Sequence, residues 1–292
     1  MKPRFFILLS SLVLSAFFSF AQQKFPPTSN GELVSHTYYS LSYVERAEQA
    51  EWVYYELTPD MVSGAIKRTD DFREDKKVST SSAQLSDYKG SDYDRGHLCP
   101  AGSMSHNKTA MSESFFMSNM SPQVPSFNRG AWKTLETLVR QWVVSDTFLC
   151  VASGPVLESG LKSIGANKVA VPNYYYKVIY SPKKAKMIAF LMPNRAIKEP
   201  VESFAVSVDK IEQLINVDFF SALDDSLENR LESKFNTGDW TFTVAKTQKT
   251  TKSESETAST SCKGKTKAGA PCKNSTTNSN GYCFLHQSQA SK

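Results

Sequence analysis

Beyond residue 21 the sequence contains no apolar run long enough to cross a bilayer, so no membrane-spanning helix is expected in the rest of the chain. Cysteine is scarce. Five thiols in 292 residues rule out a dense disulfide scaffold, and the odd number leaves at least one cysteine outside any intramolecular pairing scheme. Histidine is scarcer still, with four residues, so imidazole chemistry has few places to reside. A basic body is also missing. The formal charge is +5, but Lys2 and Arg4 supply two positives, and residues 246–292 carry eight lysines against two glutamates. The body between them is therefore −3 and does not attract polyanions through net charge.

What is present begins with MKPRFFILLSSLVLSAFFSFA (1–21). A basic start, an apolar stretch from Phe5 to Phe20 and the small residues Ser19 and Ala21 form the pattern of a secretory signal peptide cut after Ala21. The mature protein is expected to be soluble and either periplasmic or secreted. Residues 22–35 read as an irregular leader, and residues 36–245 as one globular domain. Residues 246–260 are rich in Ser, Thr, Lys and Glu and read as a flexible linker. Residues 261–287 hold three of the five cysteines and read as a separate small module. Cys99 and Cys150 remain, as a pair or as two buried thiols.

Within the domain, EWVYYEL (51–57) alternates as a strand does, and 67–91 is polar loop. Residues 127–145 read as a helix with Leu135, Leu138, Val139, Trp142 and Val143 in one stripe. DTFLCVASGPV (146–156) reads as a buried strand, and 173–194 as two strands joined at SPKKAK. Residues 201–220 hold a further helix with Ile211, Leu214 and Ile215 on one face. Strands and helices mix without regular alternation, which makes the fold class α+β.

The chemistry concentrates in SDYDRGHLCPAGSM (91–104). Asp94, Arg95 and His97 surround Gly96, directly before Pro100, as if a strand end presented an imidazole and a guanidinium together. Downstream, Asn128 sits at a helix start, and Glu136 and Arg140 share one helix face. Taken singly, these would be a helix cap and an exposed ion pair. Taken together, a neutral amide oxygen, a carboxylate and an arginine could converge on one edge of this helix.

DRGH (94–97), SNMSPQ (118–123) and FNRGAWKTLE (127–136) closely resemble the DNA/RNA non-specific endonucleases, the His-Me finger or ββα-metal nucleases. YELT (55–58), RTDDFRED (68–75) and SGPV (153–156) extend the resemblance over roughly residues 36–225. It implies a ββα-metal fold with a central mixed or antiparallel sheet flanked by helices. His97 takes the catalytic histidine's place and Asn128 that of the metal-ligating asparagine. Glu136 supports the metal and Asn119 supports the histidine loop. Arg95 and Arg140 lie near the phosphate, with Arg68 as a further substrate contact. The implied cofactor is Mg2+ or Mn2+, the substrates are DNA and RNA, and relatives are known to dimerise. Cys99 departs from the family, where a small residue without a thiol is commoner. The competing expectation is a catalytically inactive nucleic-acid-binding or surface-attachment protein that keeps the fold.

Cys262, Cys272, Cys283 and His286 follow the spacing C-x9-C-x10-C-x2-H. Three thiols and an imidazole suit tetrahedral Zn2+. The alternative is one disulfide and a free thiol, which export favours.

Overall fold

The computed structural model describes residues 25–245, 260–266, 269–276 and 278–290. The expected signal peptide and linker residues 246–259 lie outside the described residues. The chain divides into two compact units between residues 244 and 245.

The larger unit is built on β1 (Glu32–Ser35), β2 (Tyr39–Val44), β3 (Gln49–Leu57), β4 (Asp94–His97), β5 (Met120–Gln123), β6 (Leu149–Pro155), β7 (Ser163–Ile164), β8 (Val169–Ala170), β9 (Tyr174–Ser181), β10 (Lys186–Pro193) and β11 (Ala205–Val206). Seven strands form one sheet in the order β1-β2-β3-β6-β9-β10-β11. Every neighbouring pair in it is antiparallel. β4 and β5 form a separate antiparallel ribbon, as do β7 and β8. The fold is thus α+β with an antiparallel sheet. The SPKKAK turn is a single turn at Pro182–Lys184 that ends on Ala185 in the left-handed region, φ 45°.

The stretch expected as an irregular leader supplies the edge strand β1. Its four residues alternate, with Val34 buried and Leu33 64% exposed, and four were too few to read as a strand against a polar background.

The central strands β3, β6 and β9 are covered on both faces, so they read as near-continuous apolar runs. One face carries Val53, Tyr55, Leu149, Val151, Tyr175 and Ile179. Against it lies the helix Lys133–Asp146, whose stripe Leu135, Leu138, Val139, Trp142 and Val143 is buried throughout. The other face carries Trp52, Tyr54, Ala152, Tyr176 and Val178 under the helices Val208–Ile215 and Asp225–Glu232. In the first of these, Val208 and Ile211 are buried, whereas Leu214 is 43% exposed, not part of the packed face expected for it. Val208 takes its place: positions 208, 211 and 215 stack on one side of the helix, and 214 falls at its margin.

Leu138 has no exposed surface and packs between this helix and the sheet. Leu138→Ala is expected to cost about 2–5 kcal/mol of unfolding free energy, read as a lower midpoint in urea denaturation with an unchanged m-value.

Candidate active site

The β4–β5 ribbon sets the position of His97. The two strands pair with Asp94 opposite Gln123, Gly96 opposite Ser121 and His97 opposite Met120. Their approach is close: a Cβ on Gly96 would lie 2.2 Å from Gln123 Cδ, so position 96 admits no side chain without displacing Gln123. Past His97 the chain leaves the ribbon inside the protein, where its amides need partners. Asn119, fully buried, supplies them. Its Oδ1 accepts from Cys99 N at 2.8 Å, and its Nδ2 donates to Cys99 O at 2.9 Å and Ser114 O at 2.8 Å. Its carbonyl accepts from Leu98 N at 3.0 Å. Trp132 Nε1 donates to His97 O at 3.2 Å, tying the ribbon to the start of the long helix.

The His97 ring is 8% exposed. It packs edge-on against Phe115 with centroids 5.0 Å apart, and beside Phe72 at 5.8 Å. Its Nε2 is shielded from solvent and has no hydrogen-bond partner. The same two rings carry the neighbouring cations. The Arg95 guanidinium lies 4.1 Å from the Phe72 centroid and that of Arg68 lies 4.7 Å from the Phe115 centroid. Burial first, then the charges of Arg68 and Arg95, push the imidazole down to about 3. It is neutral at neutral pH.

Asn128 opens a wide turn, Asn128–Trp132, between the short helix Pro125–Phe127 and the long helix. Gly130 leaves helical geometry there, at φ −106° and ψ −110°. A wide turn inserted in a helix re-aims side chains and often marks a functional site. Asn128 Nδ2 donates to Asp94 Oδ2 at 2.9 Å. A carboxylate only accepts, so this bond fixes the amide's orientation and leaves Asn128 Oδ1 as its free acceptor. Arg129 grips the same carboxylate with Nε at 2.8 Å and Nη2 at 2.6 Å. Burial works to raise the Asp94 carboxyl, but the bonds and charge of Arg129, the Asn128 bond and the Arg95 charge together hold it below the usual range.

Glu136 and Arg140 do not form the exposed ion pair that their spacing allows. Arg140 Nη2 donates to Thr137 Oγ1 at 3.0 Å, and its guanidinium fits against Gly102, where a Cβ would come within 3.2 Å. Glu136 is half-buried. Burial raises its carboxyl against the opposing charges of Lys177, Arg140, Arg68 and Lys133. Lys177 has no exposed surface. It projects from β9 toward the long helix, donates to Ser153 Oγ and sits 4.5 Å from the Trp132 ring. Burial pulls its ammonium down to about 8, with Glu136 acting in the opposite direction.

These side chains surround one open cleft of about 1210 Å³. His97, Arg95, Arg68, Asn128, Glu136 and Arg140 all line it. Asn119 does not, since it lies behind the histidine segment. Asp94 also lines the cleft and holds Asn128 and Arg129. Reading the sequence missed Phe72, Phe115 and Lys177. Lys177 alone carried a signal, as a charge within the apolar run YYYKVIY. His36 forms a buried pair with Asp75 at 2.8 Å, and His106 packs edge-on against Tyr38, both away from the cleft lining. Cys99 and Cys150 are separate buried thiols.

In the smaller unit the ligand atoms of Cys262, Cys272, Cys283 and His286 all lie within 4.8 Å of one another. Cys262 Sγ is 3.6 Å and Cys283 Sγ 3.4 Å from His286 Nδ1, and the sulfurs of Cys272 and Cys283 are 3.9 Å apart. Backbone amides of Gly264 and Cys283 donate to Cys262 Sγ at 3.3 and 3.2 Å, and that of Asn274 to Cys272 Sγ at 3.4 Å. Gly264 makes room for the imidazole: a Cβ there would lie 2.5 Å from His286 Cβ.

Comparison with known proteins matches the geometry. Residues 18–226 match the family described as DNA/RNA non-specific endonuclease. Human mitochondrial endonuclease G is 36% identical over 62% of this chain and 67% of its own length. Nuclease C1 of Cunninghamella echinulata var. echinulata is 35% identical over 68% of this chain and 86% of its own. A crystal structure of the EndoG/EndoGI complex, described as showing the mechanism of EndoG inhibition, superposes with a TM-score of 0.63 at 34% identity, over 66% of this chain and 87% of that one. The chain belongs to the DNA/RNA non-specific endonuclease family and is a nuclease.

Proposed function

We propose that the protein is an exported, metal-dependent endonuclease that hydrolyses internal phosphodiester bonds of DNA and RNA with little regard to sequence. One observation carries this: a buried, neutral imidazole stands in a cleft lined by Arg68, Arg95 and Arg140, with a single oriented carboxamide oxygen in the same cleft. Such a lining suits the sugar–phosphate backbone, whose contacts carry no sequence information, and this agrees with poor sequence selectivity.

With Nε2 of His97 shielded, Nδ1 is the nitrogen left to take a proton from the attacking water. The guanidinium planes of Arg95 and Arg68, held on Phe72 and Phe115, meet the phosphate oxygens, and Arg140 adds charge from the helix side. An arriving phosphate offsets the two cations that depress His97, so substrate binding strengthens the base. Asn128 Oδ1 is the type of ligand that Mg2+ or Mn2+ accepts, and Glu136 suits a water bound to such an ion. When bound there, the ion supplies charge neutralisation at the phosphoryl group and at the departing 3′ oxygen. Asp94 sets the amide, and Asn119 holds the histidine segment from behind. The residue boundaries that accompany this reading are a signal peptide at 1–21, a nuclease domain whose expected span of 36–245 is extended at its start by β1, and a linker at 246–260.

The same reading gives the C-terminal module, 261–287, a structural Zn2+. Around zinc with Zn–S near 2.3 Å, a tetrahedron has S–S edges of about 3.8 Å and S–N edges of about 3.6 Å. The separations of 3.9, 3.6 and 3.4 Å sit close to these values and far from a disulfide bond length of about 2.05 Å. Four protein ligands close the site, so its role is folding and not catalysis. Among the described side chains of this unit, those buried are Cys262, Cys283 and Thr276, and two of these three belong to the proposed zinc site.

His97→Ala is expected to abolish magnesium-dependent nicking of supercoiled plasmid while leaving the melting temperature near wild type, and chelation is expected to silence the wild-type enzyme. Nicking that survives either change rejects the assignment. Arg68 disfavours the imidazolium and also lowers the Glu136 carboxyl. Arg68→Ala is therefore expected to move the acid limb of the kcat/KM profile to higher pH; a downward or absent shift counts against both couplings. Elemental analysis of the full chain is expected to find one zinc, lost in the Cys272→Ser, Cys283→Ser double variant. A mapped disulfide among the three tail cysteines, with no zinc present, rejects that site.

A further inference from the structure

On the sheet face opposite the cleft, the helices Val208–Ile215 and Asp225–Glu232 bring five carboxylates together. Asp209 and Glu212 come from the first helix, Asp218 from the loop that follows, and Glu228 and Glu232 from the second. One oxygen each of Asp209, Glu212 and Glu232 lie within 4.8 Å of one another. Among the described residues, no lysine, arginine or histidine nitrogen comes within 4.0 Å of any of the five.

Like charges at this spacing repel, and at Glu232, the buried member, little water is left to screen them. Glu232 is 5% exposed and its Oε1 has no hydrogen-bond partner. A buried carboxylate oxygen left unpartnered is costly to hold in its charged form, and either a proton or a cation relieves it. Glu212 is the anchored member. Its Oε1 accepts from Phe219 N at 2.8 Å, which ties the first helix to the loop and holds the carboxylate over Glu232. The two helix floors, Ile211 and Leu231, are packed into the core below, so the acidic residues cannot retreat by moving their backbone apart.

We propose that Asp209, Glu212 and Glu232 bind Ca2+, with Asp218 and Glu228 completing the field around it. A separation of 4.8 Å is the diameter of a calcium shell with ligands near 2.4 Å, so all three oxygens fit one ion, and water fills the remaining positions. Calcium accepts irregular, all-oxygen sites; magnesium demands a tight octahedron and keeps its own water. The three groups offer only oxygen, which sets this site apart in chemistry from the thiolate cluster of the smaller unit. The ion would lock the two helices to each other, and it takes no part in the cleft.

The test is thermal unfolding of the full-length chain titrated with CaCl2 after chelation. The wild type is expected to rise by several degrees as the site fills. Asn128→Ala is expected to show the same rise, because its change lies in the cleft. Glu232→Gln keeps the side chain's shape without its charge, so it folds; it is expected to melt no lower than the wild type in chelator and to gain nothing from calcium. Isothermal titration of both variants with calcium reads the same difference directly. The proposal is overturned if the wild type does not respond to calcium, if magnesium gives an equal or larger rise, or if the calcium response disappears with Asn128→Ala and persists with Glu232→Gln. These outcomes do not depend on whether the protein cuts nucleic acid.

Discussion

The site depends on how a buried, irregular piece of backbone satisfies its hydrogen bonds. Past His97 the chain leaves a two-stranded ribbon inside the protein, where no ladder continues and Leu98 and Cys99 have no exposed surface. Asn119 answers with its whole polar inventory, and Trp132 takes the carbonyl of His97. The imidazole is therefore held by main-chain bonds on one side and by two aromatic rings on the other. Neither hold uses the ring nitrogens, which keeps both of them out of the scaffold.

Electrostatics is arranged around that fixed ring. Arg95 lies over the Phe72 ring and Arg68 over the Phe115 ring, where Arg68 also pairs with the exposed Asp70 at 2.6 Å, and the charge of both guanidinium groups is felt at His97. Glu136 stands in the same field and is backed from the sheet by Lys177. Asp94 uses its carboxylate on Asn128 and Arg129 and so leaves the cleft open to an anion. The cleft reverses the sign of the −3 body within a small volume, which explains how a chain whose bulk charge excludes polyanions can still address one.

Much of this is legible in the sequence. The ribbon DRGH, the helix stripe and the strands around SPKKAK follow from local pattern, because each sits in an element whose period declares itself. Six of the seven domain residues singled out for the site line the cleft, and the seventh, Asn119, lies directly behind it. Phe72 and Phe115 were invisible because an aromatic ring in a polar stretch reads as ordinary core. The Asp94–Asn128 bond spans 34 positions and depends on the wide turn at Gly130, which no helix period announces. Leu214 was misplaced for a simpler reason: an eight-residue helix has too few turns to tell the centre of a face from its margin.

Lys177 has an implication for how the chain reaches this structure. Along β9, Tyr175, Lys177 and Ile179 face the cleft side and Tyr176 and Val178 face the other. A slip of one residue would exchange the two sets, sending an ammonium group in among Phe219 and Val208 and leaving Glu136 above a phenol. The aromatic neighbours on both sides are similar in size, so packing alone discriminates weakly between the two alignments. The charge does so strongly, and a residue that looks misplaced in a hydrophobic strand serves as the mark by which the strand finds its correct alignment.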